Sequence, residues 1–367
     1  MDFELLSRRY LGSDSDDPLL GYYRSLRVGQ AISVETRQRG SSGGVVTALL
    51  THLLEEGQIK GTMAVTMCKA SPWRCEASLL TTVQEVEGAA QSKYSMVGLD
   101  ELLAVARKEE GPFAVVGLPC HVHGLRRLQR LGSFRDKFPL VIGLFCGMNV
   151  RPAATDYLIR KLGFEKEEVT HLEYRGGNWP GGLLVRASDG RKGFIPKDQY
   201  NYVNLLYIPR RCLVCPDLTN ELADISVGDV WLEQYAGGWS TVIGRSAHGE
   251  RILKQAALKG VIRMKELTRL DILRSHGHLF AYKKEGYFVR RSLLRVPVRY
   301  TLPRPTIGKR SWLQQSALLL LILVLSNRFI RSLVQRLPLP WLARLSYWGR
   351  QGATSSANRT EEIEARS

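Results

Sequence analysis

Six cysteines carry the most specific chemistry of this 367-residue chain: Cys68, Cys75, Cys120, Cys146, Cys212 and Cys215. Cys212-Leu-Val-Cys215 is a Cys-x-x-Cys pair, a spacing suited to metal ligation or to a redox-active dithiol. With Cys120 and Cys146 it supplies four thiolates, enough to close a tetrahedral zinc site or to ligate one cubane iron–sulfur cluster. Pro216, directly after Cys215, matches the Cys-Pro ending of bacterial ferredoxin motifs, although the rest of that run is missing. A zinc ribbon would call for a second Cys-x-x-Cys, and the chain has none. Cluster, structural zinc and catalytic dithiol therefore stay open, in that order. Cys68 and Cys75 are expected to be buried as small hydrophobes. His121 and His123 closely follow Cys120 and read as polar residues at a helix start, with imidazole ligation the alternative.

A second chemical signal is Arg39-Gly-Ser-Ser-Gly-Gly-Val-Val-Thr-Ala-Leu-Leu50. Gly40, Gly43 and Gly44 permit a tight turn and close approach of a ligand. Val45, Val46, Leu49, Leu50, Leu53 and Leu54 then recur at helical spacing until Gly57. Ser41, Ser42 and the free N–H groups of the first helical turn would face an anion such as a phosphate. The alternative is an ordinary glycine turn with a serine cap. The pattern is neither a P-loop nor a dinucleotide fingerprint. Downstream, Asp224 and Asp229 flank Gly228 and could bind a metal or a ribose, or simply stabilise a turn.

The elements that must position these groups alternate between strands and helices. Strands are expected over 61–67, 77–83, 113–117 and 138–145, with helices over 99–109, 122–131 and 152–162. Cys120 follows one strand and Cys146 the next, with a helix between them. Such a crossover makes the two strands parallel and brings both cysteines to one edge of the sheet, the edge where open α/β sheets bind ligands. Segments 169–175, 182–187 and 193–195 read as antiparallel strands, separated in part by Gly176-Gly-Asn-Trp-Pro-Gly-Gly182. The expected fold class is α/β (α+β overall), a mixed sheet with flanking helices. A smaller antiparallel β portion and a C-terminal basic amphipathic helical segment complete it.

Composition, 44% hydrophobic and 24% charged, is that of a globular protein. The net charge is +17, but residues 286–360 hold thirteen Lys/Arg and no Asp/Glu, which leaves only +6 on residues 1–285. A basic nucleic-acid-binding protein stabilised by zinc would spread its charge through the cysteine region, so no nucleic-acid partner is expected. Asp14, Asp16 and Asp17 interrupt any apolar run near the start, and no signal peptide is expected. Disulfides are accordingly not expected, and the cysteines read as metal or redox groups.

Taken together, the motifs resemble those of the coenzyme F-420 hydrogenase and dehydrogenase beta-subunit family, which includes ferredoxin-dependent chlorophyll-pathway reductases. They are the glycine loop, Ser92-Lys-Tyr94, Val-Val-Gly-Leu-Pro-Cys120, Phe-Cys146, Tyr-Arg-Gly-Gly-Asn-Trp-Pro-Gly181, Cys212-x-x-Cys215 and Ala-Asp-Ile-Ser-Val-Gly-Asp229. They occur in the family's order and cover about residues 20–285. The resemblance implies an oxidoreductase that binds FAD and one 4Fe–4S cluster and exchanges electrons with coenzyme F-420 or another organic substrate. It implies FAD contacts from Gly40, Ser41, Ser42, Gly43, Gly44, Thr47, Ser92, Lys93 and Tyr94, with Lys93 near the flavin. It implies Cys120, Cys146, Cys212 and Cys215 as cluster ligands. No residue is singled out as an acid or base. Many relatives carry a cysteine-rich ferredoxin-like segment near the N-terminus. Residues 1–38 have no cysteine, so a separate electron donor, a ferredoxin or a partner subunit, is expected. A ferredoxin-dependent reductase of a lipidic or tetrapyrrole substrate is the alternative.

The expected organisation is a lead-in (1–38), a flavin-binding α/β region (39–150), a cysteine-containing region (151–285) and a basic, apolar tail (286–367). Within the tail, the run over residues 316–325 is strongly apolar but short for a membrane span. Arg328, Arg331 and Arg336 mix with Phe329, Ile330, Leu333 and Val334, and Trp341 and Trp348 follow. That composition predicts a helix lying on the cytoplasmic face of a membrane, with docking to another protein chain as the alternative.

Overall fold

The computed structural model describes residues 3–12, 17–297, 300–302 and 305–344; Asp14, Asp16 and Trp348, named above, lie outside them. In chain order, α1 (Phe3–Leu11), β1 (Ser25–Ala31), α2 (Val34–Arg39) and α3 (Val45–Glu55) come first. Then follow β2 (Gly61–Met67), β3 (Cys75–Leu80), α4 (Val83–Gly88), α5 (Leu99–Lys108) and β4 (Phe113–Gly117). α6 (Pro119–Arg130), β5 (Leu140–Leu144) and α7 (Ala153–Lys161) complete the first half. The second half opens with β6 (Val169–Gly176), β7 (Gly182–Ala187), β8 (Lys192–Pro196) and the short α8 (Val203–Tyr207) and α9 (Arg210–Leu213). β9 (Ile225–Asp229), β10 (Ser240–Gly244), α10 (Ala247–Leu258) and β11 (Ile262–Glu266) follow. The chain then turns helical through α11 (Arg269–Lys283), α12 (Glu285–Leu293), α13 (Lys309–Ser326) and α14 (Arg328–Val334).

The main sheet has eight strands in the order β11-β1-β10-β9-β5-β4-β2-β3. Its centre, β2, β4, β5 and β9, is parallel, and its flanks are antiparallel. Period-two alternation divides its two faces. Ala114, Leu140 and Ile142 pack with Leu49 and Leu53 of α3 and Leu253 of α10. Phe113, Val115 and Val141 pack with Phe3 and Leu6 of α1, Val122 and Leu125 of α6, and Tyr287 of α12. The result is an α/β layer arrangement with helices on both faces. The smaller sheet, β6-β7-β8, is antiparallel and forms its own core with α7 and α8.

Two features matter for the site. β4 and β5 pair in parallel, so Cys120 and Cys146 emerge at the same edge, as the crossover argument required. β1 comes from the lead-in segment yet lies inside the main sheet, between β10 and β11. Its sequence, Ser-Leu-Arg-Val-Gly-Gln-Ala, carries little β signal of its own. Pairing on both sides makes it a strand, and it buries Val28, Gln30 and Ala31.

Candidate functional site

The glycine loop ends at Gly44, which holds a left-handed φ of 70° and starts α3 without any side-chain cap. A Cβ there would sit 2.8 Å from the Thr36 carbonyl oxygen, so both backbone conformation and space call for glycine. The N–H groups of the first turn of α3 have no intrahelical acceptor and point out of the helix start. Neighbouring strands fix the loop: the Gly43 N–H donates to Ser240 Oγ (3.0 Å), and the Gly43 carbonyl accepts from the Ala31 N–H (2.7 Å). Ser42 Oγ lies 2.8 Å from Ser240 Oγ. Ser41 Oγ accepts from the Ser92 N–H (2.7 Å), which joins the loop to the Ser92-Lys-Tyr94 segment 51 residues away.

Lys93 turns its ammonium onto the carbonyls of the three residues that follow α4. It donates to Ala90 (2.7 Å), Gln91 (3.0 Å) and Ala89. Burial lowers its pKa to about 8, against which the nearby Cys75 thiol works. Cys75 itself is buried, and burial pushes its thiol up to about 11. Cys68 is only half-buried at the turn between β2 and β3, contrary to the expectation that it would be buried like Cys75. It escapes burial because it follows the last residue of β2 at the head of a hairpin.

Arg175, present above only within the Tyr-Arg-Gly-Gly-Asn-Trp-Pro-Gly181 motif and given no role there, is the centre of the polar network. Its buried guanidinium donates to the Ser41 carbonyl (2.8 Å), the Pro180 carbonyl (2.6 Å), Tyr94 Oη (3.1 Å) and Asp229 (2.8 Å). Burial is the largest influence and opposes its charge, but Asp229 and Tyr94 together more than offset it and hold the guanidinium protonated. It also lies under Trp179 and Trp231, whose rings are 4.8 Å apart. Asp229 is thus an ion-pair partner. Asp224 is another, buried and bonded to Arg126 (3.0 Å) and the Val141 N–H (2.9 Å).

These groups surround a cavity of about 760 Å³, within the ~300–1,000 Å³ range of small-molecule and cofactor sites. Gly40, Ser41, Ser42, Gly44, Thr47, Ser92, Lys93 and Tyr94 all line it. Gly43 is the exception. A Cβ on it would meet Ser240 N at 2.9 Å and crowd the Gly29 carbonyl oxygen, so its part is close packing of the loop on the sheet. Cys146 lies on the cavity wall, as do Leu205, Leu279, Leu318 and Ile322.

The remaining thiols gather behind Cys146. Cys120 is in the first turn of α6, Cys212 in α9, and Cys215 just beyond it. The Cys146 N–H donates to the Leu218 carbonyl (2.8 Å), tying the end of β5 to the segment after Cys215. Burial first, then the charges of Cys215 and Cys212, raise the Cys120 thiol to about 11 against the opposing pull of Arg211 and Lys283. Burial also raises Cys146 far above the usual thiol range; Lys283 opposes this, while Cys212, Cys120 and Cys215 add to it. Lys283 is 1% exposed, and the thiolate charges of Cys215, Cys146 and Cys212 favour its protonated form against burial. Among the described residues no three His, Cys, Asp or Glu side chains are grouped so as to hold a metal ion. His121 and His123 are both buried at the start of α6. His121 Nε2 meets the Val97 carbonyl oxygen (3.0 Å), and His123 Nε2 meets Asp217 (2.8 Å).

Two family models match the chain, both of the coenzyme F420 hydrogenase/dehydrogenase beta subunit. The model of that subunit's N-terminal part matches residues 28–104, and the model of its C-terminal part matches residues 111–269. A coenzyme F420-dependent sulfite reductase of Methanocaldococcus jannaschii is 32% identical over 287 residues, 74% of this chain; the chain spans only 43% of that protein's length. A coenzyme F420 hydrogenase subunit beta of Methanothermobacter thermautotrophicus is 29% identical over 259 residues, 69% of this chain and 88% of that one. Among solved structures, a chain of the xenon-derivatised F420-reducing [NiFe] hydrogenase complex from Methanosarcina barkeri superposes with a TM-score of 0.59 at 24% identity. The match covers 79% of this chain and 98% of that one, a likeness of fold.

Proposed function

The chain belongs to the coenzyme F420 hydrogenase/dehydrogenase beta-subunit family, an oxidoreductase family, and from that premise we propose that it holds FAD and one 4Fe–4S cluster. It would work between a separate iron–sulfur electron donor, a ferredoxin or partner subunit, and coenzyme F420 or another organic substrate. The observation that carries this reading is the cavity itself. Its wall joins the uncapped start of α3, Lys93 and Cys146, and Cys146 is one of four thiols that influence each other's ionisation.

The residues suit both groups. Gly40, Ser41, Ser42, Gly44 and the first N–H groups of α3 offer a cradle for the phosphates of FAD, with Thr47 one turn in. Lys93, on the same wall, would favour negative charge on a reduced flavin ring. Cys120, Cys146, Cys212 and Cys215 form a four-thiol donor set of the kind that ligates a cubane cluster. When bound, the cluster would supply electrons one at a time, and FAD, after taking up two of them with a proton, would deliver them as one hydride. The chain's part is to hold Cys146 at both places, to set Lys93 on the cavity wall, and to exclude water with the apolar side chains of Leu205, Leu279, Leu318 and Ile322. That same wall favours a second reading, an apolar organic substrate in place of coenzyme F420.

The test is purification without oxygen, an absorption spectrum, and assay of iron, sulfide, zinc and flavin per chain. Flavin with iron and sulfide in cluster proportion is expected. Stoichiometric zinc with neither flavin nor sulfide would sink the reading.

A further inference from the structure

Helix α13 is apolar on both of its sides. Leu319, Ile322 and Leu325 are buried against the body, and Ile322 and Leu318 also line the cavity. On the opposite side Leu313, Leu320 and Leu323 are 63%, 64% and 44% exposed. A helix that is apolar all round is normally covered all round. After a bend of 84° the chain continues as α14, which exposes Phe329 and Leu333. Among the described residues, ten of the nineteen large apolar side chains that are exposed lie at Trp312 or beyond. A concentration of this kind marks an interaction surface.

The surface is firmly held. Lys161 Nζ donates to the carbonyls of Gln335 (3.0 Å) and Leu337 (2.6 Å), Arg290 donates to Gln315 Oε1 (3.0 Å), and Ser311 Oγ donates to Glu285. No single described helix is long and apolar enough to cross a membrane. The bent pair instead exposes Lys309, Arg310 and Arg328, and the turn after it exposes Arg336, alongside the apolar side chains. Residues 286–360 hold thirteen Lys/Arg and no Asp/Glu, so a second copy of this face would meet like charge with like. Apolar side chains, exposed Trp312 and Trp341, and unopposed cations are the combination that suits an anionic lipid surface.

We propose that α13 and α14 form an interfacial docking element that seats the protein on an anionic bilayer. The outer side of α13 and Phe329 enter the acyl boundary, and the cations lie among the lipid phosphates. Because the inner side of α13 walls the cavity, the docked face and the cavity share one helix.

Full-length protein is sedimented with phosphatidylcholine vesicles with and without phosphatidylglycerol. Binding is expected only with phosphatidylglycerol, and it should weaken as salt is raised. Arg328→Gln and Arg336→Gln should each reduce it about fivefold, and Leu320→Glu with Phe329→Glu should abolish it. Leu131→Glu, at a site 79% exposed elsewhere, should leave it unchanged. An unchanged unfolding midpoint shows that each variant is folded. Absence of vesicle binding, or full binding by the double Glu variant, overturns the proposal. So does a lipid-free dimer that Leu320→Glu dissolves, because a second copy would then be the occupant. Flavin and iron contents are measured separately, so failure of the cofactor reading leaves this test intact.

Discussion

Replacing Arg175 with methionine removes one side chain from four acceptors at once: Asp229, Tyr94 Oη and the carbonyls of Ser41 and Pro180. Breaking a fully buried ion pair on one side costs about 3–5 kcal/mol. Asp229 keeps 20% of its side-chain exposure, so water recovers part of its solvation and the lower end applies. A hydrogen bond to a charged group is worth about 1.5–3 kcal/mol, and the two carbonyls lose bonds of that class. The expected net loss is about 3 kcal/mol, since methionine retains much of the packing beneath Trp179 and Trp231. The assay is urea unfolding of wild type, Arg175→Met, Asp229→Asn and the double variant. Asp229→Asn removes the stranded charge, so the double variant should recover about 1–2 kcal/mol relative to the sum of the singles. Arg175→Lys should rescue little, because one ammonium cannot match the planar fork of a guanidinium. Simple additivity, or a loss below about 1 kcal/mol for Arg175→Met, would refute the assignment of Arg175 as the hub of the loop.

Other expectations follow from the same geometry. Gly43→Ala must displace Ser240 or Gly29 and should cost about 1–3 kcal/mol; unfolding measurements check this, and retained stability would show that the loop gives way freely. Lys93 has its folded pKa lowered to about 8, so between there and the ordinary lysine value of about 10.5 the unfolded chain binds more protons. Wild type should therefore gain stability relative to Lys93→Met as pH rises through that window, and a flat or falling difference would contradict the burial argument. Cys212→Ser should lower iron and sulfide per chain while flavin is retained. Unchanged iron would remove Cys212 from the ligand set.

Much of the sheet was legible because short apolar runs in the parallel centre are local signals. Phe113–Gly117 and Leu140–Leu144 fall where the pattern put them, and their succession alone brought Cys120 and Cys146 to one edge. The glycine start of α3 was likewise written in consecutive residues, whereas Ser92-Lys93-Tyr94 was marked only by the family resemblance, because a contact across 51 residues brings it to the loop. The pairing of Arg175 with Asp229 was not, because 54 positions separate them; Asp229 was singled out only as a ligand or turn residue, and Arg175 was given no role. Gly43 looks like its neighbours in the loop, and only the approach of Gly29 and Ser240 gives it a different task. β1 was hidden for a related reason: its burial is conferred by β10 and β11, about 200 residues later in the chain.

The placement of Lys283 bears on why four thiols should gather at all. A lysine that is 1% exposed has given up most of its hydration, a cost of several kcal/mol unless negative charge lies nearby. Burial drives Cys120, Cys146 and Cys212 towards their neutral forms. Neutral thiols would leave the ammonium with little compensation. Ligation of an iron–sulfur cluster, on the proposed reading, holds all four sulfurs as thiolates and releases their protons. The buried cation then offsets part of that negative charge from within, where solvent screening is weak. Burial, thiol clustering and the lysine are each unfavourable alone, and they become mutually consistent when the sulfurs are ligated. Cys146 carries that arrangement to the cavity wall, so the same residue that completes the thiol group also sets its distance from whatever the glycine loop holds.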